Sequence, residues 1–197
     1  DEIHPLLRSR GVPGTHDVDL ALHLLEQLAE AGPGQKITLP RFDKSVDDCC
    51  PLDAREQLRG PVEVIILEGW FVGVKPQPKD KLTSAINELE SKEDSDARWR
   101  TYVNQQLAGS YQSVFEQIHM LLMLQAPGFE QVLEWRSMQE EKLRAIAAKD
   151  ASGLMDRQAI ERFIQHFERL TRHCLLTLPD SADRVFRLDA EHRIHLC

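Results

Sequence analysis

Pro61-Val62-Glu63-Val64-Ile65-Ile66-Leu67-Glu68-Gly69-Trp70-Phe71-Val72-Gly73 is an apolar, β-branched run that stops abruptly at Glu68-Gly69. It is too short to span a membrane and too continuous for a strand with one wet face. It therefore predicts a strand buried on both sides in a mainly parallel sheet. In such sheets ligands bind just beyond the carboxyl ends of the strands. Glu68 is thus either a carboxylate delivered to a binding site or a polar residue that ends a strand at a turn.

Upstream, Val18, Ala21, Leu22, Leu25, Leu28 and Ala29 recur at helical spacing, with Asp17 or Thr15 placed to cap the helix. Gly32-Pro33-Gly34 stops it, and 36–42 reads as a short strand. Gly34-Gln35-Lys36-Ile37-Thr38 has the look of a phosphate loop, but such a loop must follow a strand and open a helix. Here the order is reversed, and the resemblance to a phosphate loop fails.

Downstream, 75–96 is proline- and charge-rich and reads as a surface excursion. A helix carrying Tyr102, Val103, Gln106 and Leu107 follows, then an apolar strand over 119–125 closed by Ala126-Pro127-Gly128. The helix predicted over 129–149 has an interrupted stripe: Arg136 and Gln139 share a face with Val132, Leu143 and Ala147. Polar groups there need satisfaction, either from a salt bridge or from a phosphate met by a moving lid. Asp156 opens the next helix, with Met155 placed to staple against Ile160. Its stripe runs through Phe163, Ile164, Phe167, Leu170, Thr171 and Cys174, and a last strand covers 185–188. His166 and His173 lie about two turns apart, ~10 Å, too far to share one ion. Alternating strands and helices predict an α/β fold of one domain with a mainly parallel sheet.

The totals set the class. With 42% hydrophobic and 28% charged residues over 197 positions, the chain can bury a core of its own. A net charge of -8 argues against a life on nucleic acid or on anionic membranes. No stretch approaches the ~20 apolar residues of a transmembrane helix. The 4 cysteines form no CxxC pair, so reduced thiols in the cytoplasm are expected rather than a zinc site. The lack of GxSxG argues against a Ser-His-Asp hydrolase, and no histidine or helix start is aimed at Cys49 or Cys50 to activate a nucleophile there.

Three clusters fall near strand ends: Arg41, Asp43, Lys44, Asp47 and Asp48; then Glu68; then Arg136, Lys142 and Arg144 on the following helix. Carboxylates at strand termini with cations on a later helix suit a metal–phosphate site. A hard cation such as Mg²⁺ takes one or two carboxylates, and arginines neutralise a transferring phosphoryl group.

Arg10-Gly-Val-Pro-Gly-Thr-His-Asp17, Leu39-Pro-Arg-Phe-Asp-Lys-Ser-Val-Asp-Asp48 and Leu67-Glu-Gly-Trp-Phe-Val-Gly73 together resemble the D-glycerate 3-kinase family of P-loop kinases. Trp99-Arg-Thr-Tyr-Val-Asn104, Ala126-Pro-Gly-Phe129, Trp135-Arg136 with Gln139-Glu140, and Phe163–His173 extend the resemblance in order along the chain. The family is akin to uridine kinase, phosphoribulokinase and pantothenate kinase. The resemblance implies a three-layer P-loop NTPase-type fold, ATP and Mg²⁺ as cofactors, and D-glycerate as the small-molecule acceptor. It implies that Glu68 and Asp43 are catalytic, with Glu68 holding the magnesium shell. His16, Asp17, Arg41, Lys44 and Asp48 would face the acceptor, in a substrate loop over 41–48. Arg136, Lys142 and Arg144 would form the lid over the phosphates, and Asp189 and Arg193 would approach the nucleotide base.

Two departures bear on this. The family's phosphate-binding loop and its central strand are missing from these residues, so the 197 residues alone are expected not to turn over ATP. Cys49 also follows the Asp47-Asp48 pair where the family pattern carries an arginine. Loss of a charge-assisted contact there would be worth roughly 1.5–3 kcal/mol. The alternatives are a non-catalytic remnant of such a kinase, or a kinase for another small hydroxylated metabolite.

Overall fold

The computed structural model describes residues 3–43, 48–146 and 155–195. They fall into two compact units, Asp17–Glu68 and the combination of Asp1–His16 with Gly69–Cys197. No helix among the described residues is long and apolar enough to cross a membrane.

In the smaller unit, α1 (Val18–Glu30) starts where the Asp17 carboxylate accepts the Leu20 amide at 2.9 Å, satisfying one of the orphan N–H groups of the first turn. Its apolar face places Leu28 with Ala31 and Ile37, flanked by Leu24, Leu39 and Val62. The single strand predicted over 36–42 is divided. β1 (Lys36–Thr38) ends before Pro40, which has no N–H for a ladder, and β2 (Phe42–Asp43) begins beyond it. β2 pairs antiparallel with β3 (Asp48–Cys49), and β1 with β4 (Gln57–Arg59). Gly60 follows β4 at a close approach of backbones. A Cβ there would lie 2.7 Å from both Ala31 Cβ and Gly32 O, so no larger residue fits without displacement.

The run expected to be a doubly buried strand is not one. Residues 61–68 carry no ladder pairing among the described residues, and Val64 and Ile66 are 74% and 86% exposed. A parallel strand buried on both faces needs a neighbour along each edge and cover on each face. Among the described residues these have no ladder neighbour, and beyond Val62, which packs on the α1 cluster, they are exposed, so the stretch stays irregular despite its β-branched composition. Trp70 and Phe71 continue into a turn, and Phe71 is buried.

The larger unit holds the helices α2 (Glu88–Glu93), α3 (Arg98–Ala108) and α4 (Ser110–Phe115), then β5 (Leu122–Gln125). After it come α5 (Phe129–Ile146), α6 (Arg157–Thr177), β6 (Arg184–Leu188) and β7 (Ile194–His195). The helix predicted over 129–149 is described as far as Ile146. β5 and β6 pair in parallel, as a strand–helix–strand crossover requires, and β7 adds antiparallel to β6. Strand order is β5-β6-β7, which leaves β5 at the edge with Leu122 and Leu124 53% and 64% exposed. The architecture is a mixed α/β fold, with its parallel pairing confined to β5 and β6 among the described residues.

α5 and α6 meet through Phe129, Val132, Ile160 and Ile164, and Met155 packs on this cluster as the staple position predicts. The 75–96 segment is less free than its composition suggests. Leu82, Leu89, Glu90 and Asp94 are all buried. His166 is buried as a packing residue, its ring edge-on to Trp99 at 5.9 Å, and His173 bonds to the Lys75 carbonyl at 2.9 Å.

Candidate functional site

In the smaller unit the β2–β3 hairpin gathers Arg41, Asp43 and Asp48, while Lys44 and Asp47 lie outside the described residues. Asp43 and Asp48 are direct cross-strand partners, a like-charge pairing that costs energy on its own. The Asp48 carboxylate accepts the Cys49 amide at 2.7 Å, and the Arg41 carbonyl accepts the Cys50 amide at 2.7 Å. Asp17, expected beside the acceptor, spends its carboxylate on the α1 cap. Glu68 is exposed at the end of this unit and has no ion pair among the described residues.

In the larger unit the Arg10–His16 loop is fastened at several points. The Thr15 hydroxyl donates to the Val12 carbonyl at 2.7 Å and accepts the Gly11 amide at 2.9 Å. Gly14 has φ +95°, and a Cβ on it would stand 2.7 Å from Tyr102 Cε1. Its amide donates to the Tyr111 hydroxyl at 2.9 Å, and that hydroxyl lies 2.8 Å from His16 Nδ1. Phe71 completes the cluster, its ring 6.0 Å from His16 and 5.7 Å from Tyr111. One edge of the imidazole faces solvent. Partial burial, and then the Arg10 guanidinium, hold its pKa below the ordinary histidine value. Burial pushes the Tyr111 hydroxyl up, so it stays protonated. Next along the chain, Trp70 Nε1 donates to the Thr171 hydroxyl at 2.8 Å.

Sequence reasoning found His16 but missed Tyr111. The available signal was a tyrosine between Ser110 and Gln112 on the buried face of a helix. A buried phenol needs a partner for its hydroxyl, and here the partner is a loop 95 residues away in sequence.

On α5 the interruption in the apolar stripe is resolved by the salt-bridge alternative. Arg136 bonds to Gln139 at 2.5 Å and pairs with Glu140, a buried carboxylate one turn on. Its guanidinium also lies over the Phe163 ring, 5.7 Å from the centroid. Arg144 donates to the Met155 carbonyl at 3.0 Å, and Lys142 is exposed. The two arginines of the expected lid are thus already engaged, Arg136 within the helix and Arg144 with Met155.

Asp189 builds the β6–β7 turn. Its carboxylate accepts the amides of Glu191 and Arg193 at 3.0 and 2.8 Å, and His195 Nε2 at 2.9 Å. The His195 hydrogen bond, then the Arg193 amide, keep its pKa below the usual carboxylate value. Arg193 is exposed. Trp135 stacks on His192 with ring centroids 4.1 Å apart and donates to the Ala190 carbonyl at 2.8 Å, so this turn is tied to α5.

His4, Asp94 and Asp96 are close enough together to hold an ion. Asp94 is nevertheless committed elsewhere. It accepts the Trp99 amide at 2.7 Å and pairs with Arg100 at 2.8 Å, which makes it an anchor for the start of α3. Glu68 is not part of that group.

No protein-family model matches the chain. It is 30% identical over 175 residues to the uncharacterized kinase mug58 of Schizosaccharomyces pombe, covering 83% of this chain and 58% of that protein. It is 27% identical over 197 residues to the chloroplastic D-glycerate 3-kinase of Arabidopsis thaliana, covering 94% of this chain and 40% of that protein. The solved D-glycerate 3-kinase of Cryptococcus neoformans superposes with a TM-score of 0.72 at 23% identity, over 98% of this chain and 70% of that chain. That likeness shows a shared fold. The chain spans about half the length of the curated relatives it matches, and it is related to proteins described as kinases.

Proposed function

We propose that this chain is part of an ATP-dependent kinase for a small hydroxylated acid, with D-glycerate as the foremost acceptor. The observation that carries the reading is the similarity to a D-glycerate 3-kinase along 94% of the chain. The overall topology is then that of a P-loop NTPase, akin to uridine kinase, phosphoribulokinase and pantothenate kinase, in one kinase-type domain over 1–197. Glu68 suits the magnesium shell: an exposed carboxylate with no ion pair among the described residues fits a hard cation that keeps most of its waters. When bound, magnesium–ATP supplies the transferable phosphoryl group.

The chain's own residues bind and orient the acceptor. The hairpin presents Arg41, Asp43 and Asp48, with Lys44 in the same loop, and the arginine and lysine suit a carboxylate partner. His16 adds a fixed imidazole, and Asp17 caps the start of α1. Arg136, Lys142 and Arg144 form the phosphate side. Arg136 serves there by exchanging Glu140 for a more highly charged phosphate. Arg193 and the turn that Asp189 holds make up the base side.

An amide cradle for the phosphates requires a glycine loop opening a helix. No GxxxxGK[ST] occurs in the 197 residues, so the reading assigns that cradle to a segment upstream of Asp1. The open edge of β5 supports the same assignment, since its unpaired backbone groups would take up a further strand. The same observation favours a second reading, in which these residues by themselves are non-catalytic.

A coupled ADP-release assay separates the readings. It compares this chain with a version extended upstream to the length of its relatives. Turnover by the extended chain that depends on D-glycerate supports the proposal. Turnover only with another hydroxy acid moves the acceptor. No turnover by the extended chain with any acceptor establishes the non-catalytic reading.

A further inference from the structure

We infer that Tyr111 is a positioning residue whose hydroxyl holds the His16 imidazole as its Nε2–H tautomer, so that this N–H serves as donor to a carboxylate oxygen of a small-molecule ligand. The Tyr111 hydroxyl oxygen accepts the Gly14 amide at 2.9 Å. With one lone pair taken by that amide, the hydroxyl has its own proton left to give, and His16 Nδ1 lies 2.8 Å away. Nδ1 is therefore the acceptor, and the ring proton resides on Nε2.

The surroundings enforce the arrangement. Gly14 cannot be replaced without meeting Tyr102, and Thr15 closes the loop on Val12, so the backbone carrying His16 is fixed. Phe71 and Tyr111 hold the ring from two sides, in tilted and edge-on contacts. Nε2 has no partner among the described residues, although the imidazole edge faces solvent. Protonation is disfavoured by burial and then by the Arg10 guanidinium, and an Nδ1–H would remove the acceptor that the Tyr111 hydroxyl finds in this ring. A neutral N–H donor in the field of a nearby guanidinium recognises an anionic oxygen without contributing a charge of its own. The ligand half of this inference rests on the kinase reading; the tautomer half does not.

The test uses ¹⁵N-histidine-labelled chain and long-range ¹H–¹⁵N correlation at neutral pH, on the wild type and Tyr111→Phe. The phenylalanine keeps the ring that packs between Phe71 and Phe115 and deletes the hydroxyl. In the wild type His16 is expected as the pure Nε2–H form. In Tyr111→Phe it becomes a tautomer mixture that titrates closer to 6.5, the ordinary value for a free imidazole. In the upstream-extended kinase, Tyr111→Phe raises KM for the hydroxy acid about tenfold and leaves KM for ATP unchanged, one charge-assisted hydrogen bond being at stake. With Tyr111 intact, His16→Ala raises KM for the hydroxy acid to a similar extent, and His16→Gln, which retains an N–H donor, raises it less. An Nδ1–H or protonated His16 in the wild type, or a tautomer unmoved by Tyr111→Phe, overturns the inference. If the tautomer behaves as expected while the extended chain ignores D-glycerate, the kinase reading fails together with the ligand half, and the tautomer half is supported.

Discussion

Arg169 and Glu90 form a forked ion pair in the interior of the larger unit, Nε to Oε1 at 2.7 Å and Nη2 to Oε2 at 2.6 Å. The guanidinium also donates to the carbonyls of Lys81 and Ser84, and the carboxylate accepts the Ile86 amide. The pair thereby fastens the charged 75–96 segment to α6. Removing one partner strands the other charge out of water, so Glu90→Ala is expected to cost about 3–5 kcal/mol. Replacing both with apolar residues, as in Glu90→Leu with Arg169→Met, should cost distinctly less. Urea melts of the three variants check the order.

Gly14 occupies a left-handed backbone conformation directly against Tyr102. Gly14→Ala adds both backbone strain and a clash, and is expected to lose about 1–3 kcal/mol. Gly32 has open space around it and φ outside the left-handed region, so Gly32→Ala should fall well below that. Thermal denaturation of the two variants gives the comparison.

Burial, opposed in part by the Phe163 carbonyl and then reinforced by Arg162, lowers the His166 pKa below 6.5; burial and then Arg10 do the same for His16. Glu93 also faces His166 and works against the lowering. The unfolded chain therefore takes up protons near 6.5 that the native state refuses. Stability is whole above that pH and falls as pH drops through it, levelling off below the native pKa values. The carboxylates of exposed Glu130 and half-buried Asp189, depressed by Arg172 and His195, add their losses at lower pH. His166→Gln should flatten the stability slope between about pH 7 and pH 5, read by chemical denaturation across that range.

Burial raises the Cys174 thiol to about 12, while Cys49 is exposed on the β2–β3 hairpin. Only thiolate reacts. An aromatic disulfide reagent at neutral pH should label Cys49 in the native protein and reach Cys174 only after denaturant is added. Peptide mass mapping identifies the labelled sites.

Ile66 is an exposed side chain in a stretch that sequence patterning places in a core. In this chain Ile66→Lys should alter stability by no more than about 0.5 kcal/mol, as exposed substitutions do. In a chain extended upstream to the length of its relatives, the same change should be severely destabilising if a further strand packs along this stretch. Paired melting curves for the two lengths decide it.

Local patterning was well read. Asp17 as the cap of α1, Met155 as the staple of α6, the helical stripe from Ile160 to Cys174 and the strand near Val185 all occur where spacing puts them. Each depends on residues within one or two turns of each other, which a sequence displays directly. Pro40 breaking a predicted strand was equally local and was overlooked.

The candidate site was legible in part. His16, Glu68 and the Asp43–Asp48 hairpin stood out by residue type, and Arg136 by its position on an apolar face. Whether each is available for chemistry depends on its partners. Glu140 engages Arg136, Met155 holds Arg144, and the turn amides claim Asp189.

By itself the sequence determined the helices, their caps and an acidic chain with polar clusters near its strand ends, because these follow from near neighbours and composition. Only the tertiary structure decided that Tyr111 meets His16, that Arg169 meets Glu90, and that Pro61–Leu67 lies without a ladder among the described residues. Those outcomes depend on groups brought together from far apart in the chain. A strand in particular exists only when another backbone completes its hydrogen bonds, however β-branched its own residues are.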